Sequence, residues 1–216
     1  MIIVEAGHYA SAPGALGYDE ITEFRRTSYL KLRVIMWLEH FQKRTIGLHG
    51  STMGVSKLDA NKRLQRVVSK INQLPGGSRF ASLHFNNNNP KASGSEVFIN
   101  RYTSNSNRKR ASWMVYHLSN ELNIPLRRIR SNRSYKYSHE AYVGGLGILD
   151  RTDKEGILVE VCFLNENDLL KYKGQEDRVA FIIALGLMHD FKEKNEPQYE
   201  YIRLFHKLKQ IKLNKL

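Results

Sequence analysis

Apolar residues in this chain follow two rhythms, short β-branched runs of strand length and longer stretches at helical spacing, and the two alternate along most of it. Ile2-Ile3-Val4, stopped by Gly7, predicts a buried strand ending at His8. Ala10 to Tyr18, with Pro13, Gly14 and Gly17, reads as a loop. From about Glu20, the residues Phe24, Leu30, Val34, Trp37, Leu38 and Phe41 recur at helical spacing and predict a long helix on one side of a sheet. Thr45-Ile46-Gly47-Leu48 is the next strand. Leu58 to Leu74 is again helical, through Leu64, Val67, Val68 and Ile71, and Pro75-Gly76-Gly77 ends it.

Phe80 to Phe85 and Ser95 to Ile99 read as strands, separated by the polar loop Asn86-Asn87-Asn88-Asn89-Pro90. Ala111 to Leu122 is a third helix, Arg127 to Tyr142 is polar, basic and irregular, and Ile157 to Phe163 is a nearly continuous apolar strand. A fourth helix spans roughly Arg178 to Phe191. This alternation predicts an α/β fold, a mostly parallel or mixed central sheet with helices on both faces. Residues 1–195 form a single catalytic domain in this reading, and residues 196–216 a basic amphipathic tail. Tyr201 to Leu216 carries five Lys or Arg and no acid, with Leu204, Leu208 and Ile211 at helical spacing. The tail is either a terminal helix docked on the domain or a surface-binding element.

The chain has 216 residues, enough for a sizeable core, and its apolar content of 41% excludes wholesale disorder. A formal net charge of +13 predicts attraction to polyanions such as nucleic acid, anionic lipid or the teichoic acid of a cell wall. The single cysteine, Cys162, sits in an apolar run and reads as a buried structural thiol rather than a nucleophile. The first residues lack a basic start followed by a long apolar segment, so the expectation is a protein made in a cytoplasm without a signal peptide.

Chemistry concentrates at the predicted strand ends. His8 and His84 lie where ligands can converge across the top of a sheet, and a carboxylate opening the first helix would complete a set of two histidines and one carboxylate. Glu20 and Glu23 are the candidates; three residues apart, they share nearly one helix face, and periodicity does not separate them. Glu160 interrupts the apolar strand Ile157 to Phe163, where an unpaired carboxylate is costly to bury. Either an arginine pairs with it or it faces a metal-activated water whose proton it can take. His40, His117, His189 and His206 fall within helical stretches and read as ordinary surface or packing residues, while His49 and His139 lie in loops with no motif behind them.

Ala6-Gly7-His8, Pro13-Gly14-Ala15-Leu16-Gly17, the acidic helix start, Ser82-Leu83-His84-Phe85-Asn86, Gly94-Ser95-Glu96-Val97 and Leu158 to Asn165 together resemble, in that order, the signature of zinc-dependent N-acetylmuramoyl-L-alanine amidases of type 3, especially phage endolysin forms. The resemblance covers about Ile2 to Phe191. It implies that His8 and His84 are zinc ligands, that Glu160 is the catalytic acid and base, and that the carboxylate opening the first helix is the third ligand. Leu30 and Val34, seven and eleven positions after Glu23, favour Glu23, while Asp19-Glu20 after Gly17-Tyr18 keeps Glu20 in play. Asn86 matches the asparagine after the second histidine and is expected to face substrate. Glu5-Ala6-Gly7-His8-Tyr9 departs from the family's usual Asp-Pro-Gly-His-Gly type motif, leaving the ligand but changing its surroundings.

The resemblance implies zinc as cofactor, peptidoglycan as partner, and hydrolysis of the amide between N-acetylmuramic acid and L-alanine, on the cell wall after release from the host cytoplasm. The tail adds an anionic envelope or membrane surface as a second partner, and no nucleic acid is expected. Two other readings stay open: a zinc exopeptidase on free peptides, and a basic nucleic-acid- or envelope-binding module, motivated by the charge and by Arg127-Arg128-Ile129-Arg130 near Tyr135 and Tyr137.

Overall fold

A computed structural model describes residues 1–49, 60–87, 91–100, 103–127 and 146–188. Five strands form one sheet: β1 (Ile2–Ala6), β2 (Thr45–His49), β3 (Arg79–Asn86), β4 (Glu96–Ile99) and β5 (Glu155–Phe163). Their order is β2-β1-β3-β5-β4. All neighbours run parallel except β4, an antiparallel edge on β5. Parallel neighbours need crossovers, which the helices supply. These are α1 (Glu23–His40), α2 (Ala60–Asn72), α3 (Asn105–Leu122), α4 (Gly147–Asp150), α5 (Glu166–Tyr172) and α6 (Glu176–Met188). No described helix is long and apolar enough to cross a membrane.

Alternation of side chains along the strands divides the core in two. Val4, Leu83, Phe85, Val159 and Val161 meet Leu30, Val34 and Leu38 of α1, Met114 and Leu118 of α3, and Val179 and Ile183 of α6. On the opposite face Ile3, Phe80 and Leu158 meet Val67 and Ile71 of α2 and Ile148 and Leu149 of α4. Because both faces are covered, β1 is buried throughout, which is why it reads as a continuous apolar run.

The predicted α/β fold is present, with shifted ends and two additions. The first helix starts at Glu23, not Glu20, because Thr22 caps it, its Oγ1 accepting from Arg25 N at 3.4 Å. The third begins at Asn105, well before Ala111, because Ser104 Oγ accepts from Asn107 N at 3.0 Å. The helices α4 and α5 are too short to show a period. Helix α6 covers Glu176–Met188; its predicted continuation, most of the irregular basic stretch and the basic tail lie outside the described residues.

Helix α5 brings a buried carboxylate to the rim of the sheet. Asp168 Oδ2 accepts from Gly94 N at 2.9 Å and Phe163 N at 3.0 Å, and Oδ1 accepts from Ser93 Oγ at 2.5 Å. It ties the approach to β4 to the end of β5. Replacing Asp168 by alanine strands two backbone donors, and the expected loss is on the order of 2–4 kcal/mol in denaturant unfolding.

Candidate active site

From β1 the chain turns through α1 to β2 on one side and later returns to β3 on the other, so the crevice above the carboxyl ends of β1 and β3 is the switch point where α/β sheets hold ligands. His8 follows β1 and His84 lies near the end of β3. His8 has φ 63°, a left-handed conformation uncommon outside glycine. Arg63 of α2 holds that turn, donating from Nη1 to the His8 carbonyl at 3.4 Å while its guanidinium lies 4.0 Å from the centre of the Tyr9 ring.

Glu23 enters the crevice from the first residue of α1. That end of the helix is pinned by Glu23 N to Ala15 O at 2.8 Å, Phe24 N to Pro13 O at 2.9 Å, and Thr27 Oγ1 donating to Gly7 O at 2.9 Å. One carboxylate oxygen, Oε2, lies 2.9 Å from His8 Nε2 and accepts from Ala15 N at 3.4 Å. The other, Oε1, lies 3.0 Å from His84 Nδ1 and accepts from Phe85 N at 3.2 Å. Burial alone would raise the Glu23 pKa, but the bonds from His8 and His84 hold it at about 2. Burial disfavours a charged His84, yet Glu23, Glu160 and Glu5 raise it to about 9.

The structure thus brings His8, Glu23 and His84 together, each offering a ligand atom within 4.8 Å of the others. Glu20 is not in the group; it is exposed, with φ 64°, in the turn before the helix. Two imidazole nitrogens and one carboxylate oxygen form the donor set of a catalytic zinc site. The crevice is kept open by missing side chains: a Cβ on Gly7 would lie 2.3 Å from His84 Cε1, and one on Gly14 would lie 2.6 Å from Glu23 Oε2. Gly7→Ala must displace the His84 imidazole, so zinc affinity is expected to fall by about 10- to 100-fold, read by competition with a chromophoric chelator, while the fold remains.

Glu160 stands beside this group. It is in direct register with His84 across the β3–β5 pair and with Glu96 across the β4–β5 pair. Its Oε2 is buried without a hydrogen-bond partner among the described residues. The arginine ion pair that would have made it a structural carboxylate is not found among those residues. Burial pushes its pKa up to about 7; His84 pulls the other way, and Glu23 and Glu96 add to the rise.

Asn86 ends β3, and its Nδ2 donates to Glu96 Oε2 at 2.8 Å. His49 closes β2 opposite Ala6, and His139 lies outside the described residues. Two glutamates that stand within the quoted motifs without an assigned role support the site. Glu5 is buried in β1, accepting from Ser82 Oγ at 2.6 Å one step below His84 along β3, and Glu96 is held by Asn86 and Arg127. Glu5 carried the same signal as Glu160, a charge within an apolar strand.

A mixed α/β sheet with a metal-competent His–Glu–His set at its switch point, and one strand away a carboxylate oxygen unpartnered among the described residues, has the layout of a hydrolytic site. The chain belongs to the N-acetylmuramoyl-L-alanine amidase family, whose Amidase_3 model matches residues 2–188. Among solved structures, it resembles the catalytic domain of the CD27L endolysin targeting Clostridia difficile, at 19% identity, covering 87% of this chain and 96% of that one with a TM-score of 0.68. An N-acetylmuramoyl-L-alanine amidase from Clostridium difficile 630 is 16% identical, with 90% and 97% covered and a TM-score of 0.66. The catalytic domain of CwlV, an N-acetylmuramoyl-L-alanine amidase from Bacillus (Paenibacillus) polymyxa var. colistinus, is 19% identical, with 86% and 94% covered and a TM-score of 0.59. At such identities the likeness is one of fold. No curated protein matches the sequence significantly.

Proposed function

We propose that this amidase is zinc-dependent and cleaves the amide joining the lactyl group of N-acetylmuramic acid to the L-alanine of the stem peptide, as a wall-lysing enzyme of the phage endolysin kind. The observation that carries the reading is Glu160, a half-buried carboxylate with an unpaired oxygen, in register with His84 of the metal-competent set. His8, Glu23 and His84 would hold the zinc, which when bound polarises a carbonyl and lowers the pKa of water.

The residues of the chain do the rest. Glu160 accepts a proton as water oxygen bonds to the scissile carbonyl carbon, then delivers it to the alanine nitrogen as the C–N bond breaks. Arg63 and Thr27 hold the loop and helix end that carry His8 and Glu23. A net charge of +13 favours approach to a polyanionic envelope, and the basic segment Tyr201 to Leu216 adds affinity for anionic surfaces. The place of action in this reading is the cell wall.

The test is digestion of purified peptidoglycan by the zinc-loaded protein, with products read by mass spectrometry. A free muramic-acid lactate together with a new L-alanine amino terminus is the expected pair. Release of amino acids from unlinked peptides with intact wall would instead support the exopeptidase reading.

A further inference from the structure

At the rim beside Glu160 the described residues include an arginine that is held still but not used up. Arg127 donates from Nε to Glu96 Oε1, its backbone N bonds Ser95 O at 3.3 Å, and its guanidinium lies 4.9 Å from the centre of the Phe163 ring. Glu96 is itself fixed through its second oxygen, which accepts from Asn86 Nδ2 at 2.8 Å. Among the described residues, Glu96 is the acceptor of the guanidinium, and it uses Nε alone. The side chain is 39% exposed, and neither Nη has a hydrogen-bond partner among the described residues.

An arginine fixed at Nε and stacked on an aromatic ring presents a planar, pre-oriented pair of donors, which matches a carboxylate in bidentate geometry. Glu96 lies opposite Glu160 on the neighbouring strand, about 4.5–5.5 Å away between Cα atoms. Arg127 therefore sits one strand spacing and one ion-pair contact from the group assigned to the scissile amide.

A chain that starts at that amide covers roughly 7 Å in two residues. In a stem peptide this distance leads past L-alanine to the γ-linked D-glutamate, whose α-carboxyl group stands free or amidated. We propose that Arg127 binds this α-carboxylate and makes the enzyme prefer stem peptides in which it is not amidated. The assignment rests on the amidase reading above.

The experiment compares two soluble muropeptides, differing only in whether the D-glutamate α-position is acid or amide, as substrates of the zinc-loaded full chain. Wild type is expected to favour the acid about 10-fold or more in kcat/KM, and Arg127→Ala to lose about 10- to 100-fold on the acid, mainly in KM, while changing less than about threefold on the amide. Arg127→Lys, which keeps the charge and loses the fork, should fall between the two. Zinc content should not move in either variant.

Equal losses on both substrates in Arg127→Ala would make the residue structural and overturn the assignment. If wild type cleaves both substrates equally well, the amidase reading stands and the Arg127 assignment alone falls. If wild type cleaves neither, the amidase reading fails and takes this one with it.

Discussion

Glu160→Gln is expected to lower turnover on peptidoglycan by about 10²–10⁴ while leaving bound zinc unchanged. Glutamine nearly reproduces the shape of the side chain, so the packing around β5 should persist, but it offers no basic oxygen to take a proton. The surroundings of Glu160 fit that role. With its Oε2 unpaired and burial raising its pKa to about 7, it can both accept and return a proton near neutrality.

A base must be ionised, so kcat/KM should fall as the pH drops through the Glu160 pKa, and a bound dication, by favouring the charged form, draws that limb below 7. In the Gln variant the residual activity should lose the limb. Wild-type rates with Gln at this position, or a limb that survives the substitution, would remove Glu160 from the chemistry. Metal content measured on the same preparations separates this from loss of the site.

The strand ends of this protein are legible in its sequence because the sheet is covered on both faces. Its strands are nearly all apolar, and a polar residue inside or just past one stands out, as His8, His84 and Glu160 do. Between Glu20 and Glu23, the spacing to Leu30 and Val34 favours Glu23 without excluding Glu20. In the structure the Thr22 cap starts the helix at Glu23 and places that residue in the crevice beside His8 and His84, while Glu20 stays in the turn before it.

What is hidden lies in contacts between distant segments. Asp168 serves backbone groups at Gly94 and Phe163, 74 and five residues away, from a helix of only seven residues. Arg127 meets Glu96 across 31 residues. Neither contact leaves a periodic trace. Gly7 and Gly14 read as turn residues, yet their second role, leaving room for His84 and Glu23, appears only when the segments meet.

Zinc binding at about pH 7.5 is expected to release at least one proton per site, the one carried by His84, and His84→Ala to abolish the binding and with it the release. Metal-free, the His84 pKa is raised from 6.5 to about 9, so the imidazole is charged at neutral pH and bonded to Glu23. A metal ligand must be neutral, hence the proton leaves when zinc arrives. Affinity should therefore climb with pH up to about 9 and level off above it.

The stability of the metal-free protein runs the other way. The raised His84 pKa contributes stability that is full below 6.5 and is lost as pH rises through about 9. The lowered Glu23 pKa contributes stability present above 4.5 and lost as pH falls through about 2. From pH 6.5 to 9, then, melting temperature with chelator present should fall while the increment restored by zinc grows. Calorimetry in buffers of different ionisation enthalpy reads the proton directly. A zinc affinity independent of pH across this range would mean that the ion is held elsewhere, and the site built from His8, Glu23 and His84 would lose its assigned purpose.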